Sequence, residues 1–142
     1  MSRLSDIVYD RPFARVAEHE TVAAAARRMA DLHCGAILVL HNGKLRGVFS
    51  ERDIMQRVVL EKRDPETTPV GSVMSTELAT IEESASPEEA MAAMQAHSCR
   101  HLPVMKEGQV VAFLSMRDLM KRELALKTEE LHHMHNYIHG SR

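Results

Sequence analysis

Apolar and polar positions along this chain switch between a helical and a strand period, and the switch occurs twice in the same order. In residues 22–33, VAAAARRMADLH, Val22, Ala25, Ala26 and Met29 recur at helical spacing. In residues 87–98, PEEAMAAMQAHS, Ala90, Met91 and Met94 do the same. Thr21 and Ser86 precede these runs as natural N-caps, and Pro87 suits the first helical position. Each helix gives way to a short apolar strand, AILVL over 36–40 and HLPVM over 101–105. Turns follow at HNGK and KEGQ, where Gly43 and Gly108 are free to take positive φ. Second strands, LRGVFS and VVAFLS, end at Ser50 and Ser115, where another helix starts. A short lead-in strand, around 14–16 or 79–81, precedes each set. The last helical pattern runs from Arg117 to His139 with an apolar stripe of Met120, Leu124, Leu131, Met134 and Ile138.

The two series share one register. VFSERDIM (48–55) returns as FLSMRDLM (113–120), 65 positions later. Without a gap, that offset also pairs Met29 with Met94, Cys34 with Cys99, Val39 with Val104, Gly43 with Gly108 and Arg57 with Arg122. The chain therefore divides into a first repeat at 5–63, a linker at 64–74 marked by Pro65, Pro69 and Gly71, a second repeat at 75–125, and a helical extension at 126–142. One repeat is near the lower size limit for independent folding, so two units packed sheet to sheet share a core.

Ser50-Glu51-Arg52-Asp53 lies where a strand ends and a helix begins. Two readings stay open. Ser-x-x-Asp is a near capping box, with Asp in place of Glu or Gln. It is also a ribose-phosphate reader: free N–H groups at the helix start and Arg52 suit a phosphate, and the acceptor-only carboxylate of Asp53 suits a ribose diol. The same geometry serves both.

Duplicated in tandem, Gly47-Val48-Phe49-Ser50-Glu51-Arg52-Asp53 and Ala112-Phe113-Leu114-Ser115-Met116-Arg117-Asp118 resemble the motif of cystathionine-beta-synthase (CBS) domains. Arg100-His101-Leu102-Pro103-Val104 is similar to the basic-x-Pro-Val strand of that family. The resemblance covers roughly 5–125. It implies an α+β fold of two β-α-β-β-α CBS units, packed sheet to sheet with pseudo-twofold symmetry, plus the C-terminal helix. It implies two clefts for adenosine-containing ligands: AMP foremost, with ADP, ATP, NAD(H) and S-adenosylmethionine in the same class. The first cleft is then expected to use Val48, Ser50, Arg52 and Asp53, and to borrow Thr80, Arg100, His101 and Pro103. The second is expected to use Phe113, Ser115, Arg117 and Asp118, with Arg15, Ala17, Thr21, Gly35, Ala36 and Ile37 borrowed from the first repeat. The register sets Gly35, Ala36 and Leu38 against Arg100, His101 and Pro103, so the second cleft lacks that basic pair. Ala112 also stands where the first repeat has Gly47. The Asp53 cleft is therefore expected to hold phosphates more tightly.

Composition narrows the class. The 142 residues are 44% hydrophobic and 27% charged, ordinary for a globular protein. Trp is absent and Met numbers ten, so aliphatics and Met fill the core. A net charge of -2 is unlike the basic footprint of a nucleic-acid binder. No apolar run reaches the ~18 residues of a membrane span, and the N-terminus lacks a signal-peptide core, so the expected location is the cytoplasm. Cys34 and Cys99 fit a reducing compartment and read as small buried hydrophobes. No nucleophile–base constellation is evident, which points to a non-catalytic protein without a catalytic cofactor. His132, His135 and His139 share a helical face, either as metal ligands or as a solvated face near a helix C-terminus. Leu124, Leu131 and Ile138 recur every seven residues, interrupted by Lys127, and pack either on the protein's own body or on a second subunit. Because CBS pairs commonly form disc-like dimers, the resemblance favours a homodimer, with an unidentified regulated protein as further partner. The expected function is a nucleotide sensor; a scaffold or dimerisation module with vestigial clefts is the alternative.

Overall fold

The structure, a computed structural model, describes residues 3–8 and 13–138. After a short helix α1 (Ser5–Val8), the first repeat runs β1 (Arg15–Ala17), α2 (Val22–Asp31), β2 (Ala36–His41), β3 (Lys44–Ser50) and α3 (Glu51–Asp53). The second runs β4 (Ile81–Glu82), α4 (Pro87–Ala96), β5 (His101–Lys106), β6 (Gln109–Ser115) and α5 (Met116–Ile138). Each repeat forms its own three-stranded mixed sheet, in the orders β1-β2-β3 and β4-β5-β6. β1 and β4 pair parallel with β2 and β5, which pair antiparallel with β3 and β6. The fold is α+β, as the resemblance implies.

The sequence register survives in three dimensions. Thr21 Oγ1 accepts from Ala24 N at 3.1 Å, and Ser86 Oγ from Glu89 N at 3.1 Å, so both expected caps form. Both hairpins turn through a positive-φ pair, Asn42-Gly43 and Glu107-Gly108. Both carry a register shift at the same place, Val39/Leu40 and Val104/Met105.

Strand alternation sends side chains to two kinds of core. Ile37, Val39 and Phe49 face Val22, Ala25 and Met29 of α2. Leu102, Val104 and Leu114 face Ala90 and Met94 of α4. The opposite strand faces meet each other: Ala36, Leu38 and Phe113 cluster with Leu40, Val48 and Val110. The sheets therefore pack face to face, and each is buried on both sides.

The halves also exchange their lead-in segments. Leu4, fully buried, belongs to the core of the second repeat, and its N–H donates to the Ala85 carbonyl at 2.9 Å. Val70, Val73 and Met74 belong to the core of the first repeat, and Val70 N–H donates to the Glu20 carbonyl at 2.8 Å. The C-terminal part of the 64–74 stretch is thus packed structure, with a 3-10 turn at Val70–Ser72.

The repeats diverge after their shared phrase. Beyond α3 the first chain segment widens into a π-helix over Ile54–Val59, with Leu60 N–H reaching back to the Met55 carbonyl at 3.0 Å. The widened turn buries Val58 while Val59 and Leu60 stay exposed. The second repeat continues into α5, whose Met120, Leu124, Leu131, Met134 and Ile138 are all exposed.

Candidate functional site

Both copies of the repeated phrase build the same corner. Ser50 keeps an extended backbone as N-cap of α3, and its Oγ accepts from Asp53 N at 3.3 Å. Asp53 Oδ2 returns the bond, accepting from Ser50 N at 2.9 Å. In the second repeat Asp118 N donates to Ser115 Oγ at 3.1 Å, and Ser115 N donates to Asp118 Oδ2 at 2.8 Å. The capping box is therefore formed in both. A further bond ties strand to helix: Glu51 N to the Gly35 carbonyl at 3.0 Å, and Met116 N to the Arg100 carbonyl at 2.8 Å.

The two aspartates sit in different surroundings. Asp53 is 5% exposed. Its Oδ1 accepts from Ser75 Oγ at 3.0 Å and lies 3.6 Å from Arg57 Nε, while Arg57 Nη1 donates to the Met74 carbonyl at 2.8 Å. Ser75 in turn pairs with Val48 through both backbone bonds. A Cβ on Gly47 would stand 2.6 Å from Met74 Sδ and 2.8 Å from the Ser75 carbonyl, so the close approach of this segment demands glycine there. Asp118 is half-buried beside an open hollow of about 400 Å³ lined by Asp6, Ile7, Asp118, Lys121 and Arg122.

Strand register explains which expected residues come together. Ala36 opposes Ser50 and Leu38 opposes Val48; His101 opposes Ser115 and Pro103 opposes Phe113. Directly opposed residues share a sheet face. All eight lie on the faces turned toward the other sheet, and the motif aspartates stand at the ends of those faces. Arg15, Arg52, Thr80, Arg100 and Arg117 are exposed around them. Arg15 lays its guanidinium over the Phe13 ring, 5.6 Å from its centroid. Three other expected residues are committed elsewhere through their side chains or amides. Thr21 caps α2, Ile37 is fully buried against α2, and Ala17 N donates to Glu20 Oε2 at 2.8 Å. From Ile37 only backbone is left to face a cleft.

The sequence expectation paired His101 with Arg100 as a basic group; in the free protein burial disfavours its charged form. Its ring packs on Phe113, with centroids 5.1 Å apart, and burial holds its pKa below the ordinary 6.5. The carboxylates of Asp118 and Glu51 pull the other way, and Arg100 and Arg117 add to the depression. That depression favours the neutral imidazole. Glu51 of the first repeat and Asp118 of the second both act on it electrostatically.

Sequence reasoning missed Ser75, Asp6 and Lys121. Arg57 was visible in the register with Arg122, but nothing in the pattern tied it to Asp53. Burial also raises the thiol pKa of Cys34 and Cys99, consistent with inert, half-buried cysteines. Among the described residues no three His, Cys, Asp or Glu side chains converge on a metal site; His139 lies outside them. No helix among the described residues is long and apolar enough to cross a membrane.

Comparison with known proteins agrees with this architecture. The family profile described as "CBS domain" matches residues 4–60 and 70–125. A protein with CBS domains from Burkholderia ambifaria is similar at 32% identity, with 87% of this chain and 95% of that one covered and a TM-score of 0.81. The hypoxic response protein I, solved with two coordinated zinc ions, is 28% identical, with 86% and 99% coverage and a TM-score of 0.73. The CBS domain protein PAE2072 from Pyrobaculum aerophilum, solved in complex with AMP, is 26% identical, with 82% and 89% coverage and a TM-score of 0.74.

Proposed function

Because this chain belongs to the CBS domain family, as a tandem pair filling most of its length, we propose that it is a non-catalytic regulatory module for adenosine-containing ligands. AMP is the first choice, with ADP, ATP and NAD(H) in the same class. One observation carries the reading: the opposed pairs Ala36/Ser50, Leu38/Val48, His101/Ser115 and Pro103/Phe113 all face between the sheets, with Asp53 and Asp118 at the ends of those faces. Apolar strand faces suit an adenine ring, the carboxylates suit ribose hydroxyls, and the exposed arginines suit phosphate. The AMP-bound relative supports the choice of ligand.

In this reading the first cleft comprises Val48, Ser50, Arg52, Asp53, Thr80, Arg100, His101 and Pro103. The second comprises Arg15, Ala17, Thr21, Gly35, Ala36, Ile37, Phe113, Ser115, Arg117 and Asp118. Ligand in either cleft changes how the two sheets pack, and a partner protein or a second copy of this chain reads the change. The exposed stripe of α5 is the surface on which a homodimer would form.

A second reading, a scaffold with vestigial clefts, has its own observation. The Asp53 carboxylate already holds Ser50 N and Ser75 Oγ beside Arg57, so a ribose must displace or share these partners. Calorimetry with AMP on the wild-type chain, Asp53→Ala and Asp118→Ala separates the readings. The nucleotide module expects micromolar-class binding that is weakened at least tenfold in one variant, more in Asp53→Ala if phosphate is held there. No heat with AMP, ATP, NADH or S-adenosylmethionine supports the scaffold.

A further inference from the structure

We propose that anion binding between the two helix starts is coupled to uptake of a proton by His101, so that this module reads pH and nucleotide together. The inference rests on the nucleotide reading above and adds its regulation.

His101 opens β5 on the face turned toward the other sheet, directly opposite Ser115. Its ring is steadied by Phe113 at 5.1 Å. The charged groups acting on it come from every element at that corner: Glu51 from α3, Asp118 and Arg117 from α5, and Arg100 just before its own strand. Two carboxylates therefore act on a ring whose neutral form burial favours. A phosphate placed at this corner adds negative charge, which favours the imidazolium; the water it excludes penalises a charged ring by itself but strengthens the ring's attraction to the phosphate and the two carboxylates. The neutral ring offers one N–H donor; the protonated ring offers two. The equivalent position in the first repeat is Ala36, so the coupling belongs to one position per chain.

The sign follows from linkage. If bound phosphate raises the His101 pKa, binding takes up a proton, and affinity falls as pH rises between the depressed free value and the raised bound value. The AMP phosphate itself titrates near pH 6 and gains charge as pH rises, which gives the opposite slope or none. The two sources of pH dependence are thus separable.

The test is calorimetry of AMP binding from pH 6.5 to 8.5 in buffers of different ionisation enthalpy. The wild-type chain should bind about fivefold to tenfold more weakly at the upper end and take up roughly a third to a half of a proton on average across this range. His101→Gln, which keeps a donor and cannot protonate, should lose both the slope and the uptake. His101→Arg, with a fixed charge, should bind with no pH slope and guards against a folding failure of the first variant. AMP binding with no proton uptake in the wild-type chain, or the same slope in all three proteins, overturns the inference and leaves the nucleotide reading intact. No AMP binding by the wild-type chain at any pH overturns both.

Discussion

Gly47 shows how much a single position can decide. Its α-carbon lies against Met74 and the Ser75 carbonyl, and Ser75 is what holds Oδ1 of Asp53. A methyl group there must push the Met74–Ser75 segment away from β3. Gly47→Ala should therefore destabilise the protein by about 2 kcal/mol through overpacking and loosen the Asp53 network. Urea unfolding checks the first effect, and a drop in AMP affinity without any change at a ligand-contacting side chain checks the second. Ala112, the counterpart in the second repeat, is itself 2% exposed and packed in the core, so the two copies of the motif have already diverged at this residue. The charge of His101 makes a related point. Sequence can place a histidine beside an arginine, but its protonation depends on burial and on carboxylates from another element, and neither is written in local spacing.

At the scale of elements, the exchanged lead-in segments matter most. Leu4 fills the second repeat's core and Val70 the first's, each from outside the compact unit it completes. Leu4→Ala should cost about 3 kcal/mol, and Val70→Ala somewhat less, as large-to-small changes at fully buried sites. Thermal unfolding followed by calorimetry should show each loss in one cooperative transition, because each truncation weakens a core that the other half shares. Two separated transitions would contradict the shared core. The regular elements were legible in the sequence because two periods, two caps and two Gly turns all repeat at one offset, and the observed α2, β2 and β3 and their counterparts follow them closely. The exchange was not legible. Residues 64–74 look like a linker because Pro65, Pro69 and Gly71 punctuate them, yet Val70, Val73 and Met74 carry the burial, and only tertiary packing reveals it. The π-helix after Asp53 was not legible either: the polar and apolar pattern of Ile54–Val59 reads as ordinary helix, and nothing in it announces the wider turn.

The whole molecule presents an unfinished surface. α5 exposes Leu124, Leu131 and Ile138 at heptad spacing, with Met120 one turn before them and Met134 between the last two. In the first repeat Met55 and Val59 occupy the positions equivalent to Met120 and Leu124, and they too are exposed. In the homodimer proposed above, a second copy of the chain covers these paired stripes. Leu124→Asp combined with Leu131→Asp should convert a dimer to a monomer in sedimentation analysis and leave the monomer's fold unchanged by circular dichroism. A wild-type chain that sediments as a monomer at high micromolar concentration would remove the homodimer from the account.

The exchange of Leu4 and Val70 also sets an order of events on the ribosome. The first half of the chain can close its helical core as soon as Val70–Met74 has emerged, while Leu4, translated earlier, has nothing to enter until β5 and β6 are made. Between those moments Ala36, Leu38 and Val48 form a naked apolar sheet face on a nascent chain. Some 40 residues separate Met74 from Ser115, which at about 5–20 residues per second is an exposure of roughly 2–8 seconds. Slow codons between residues 75 and 115 should therefore lower soluble yield more than slow codons elsewhere in the message.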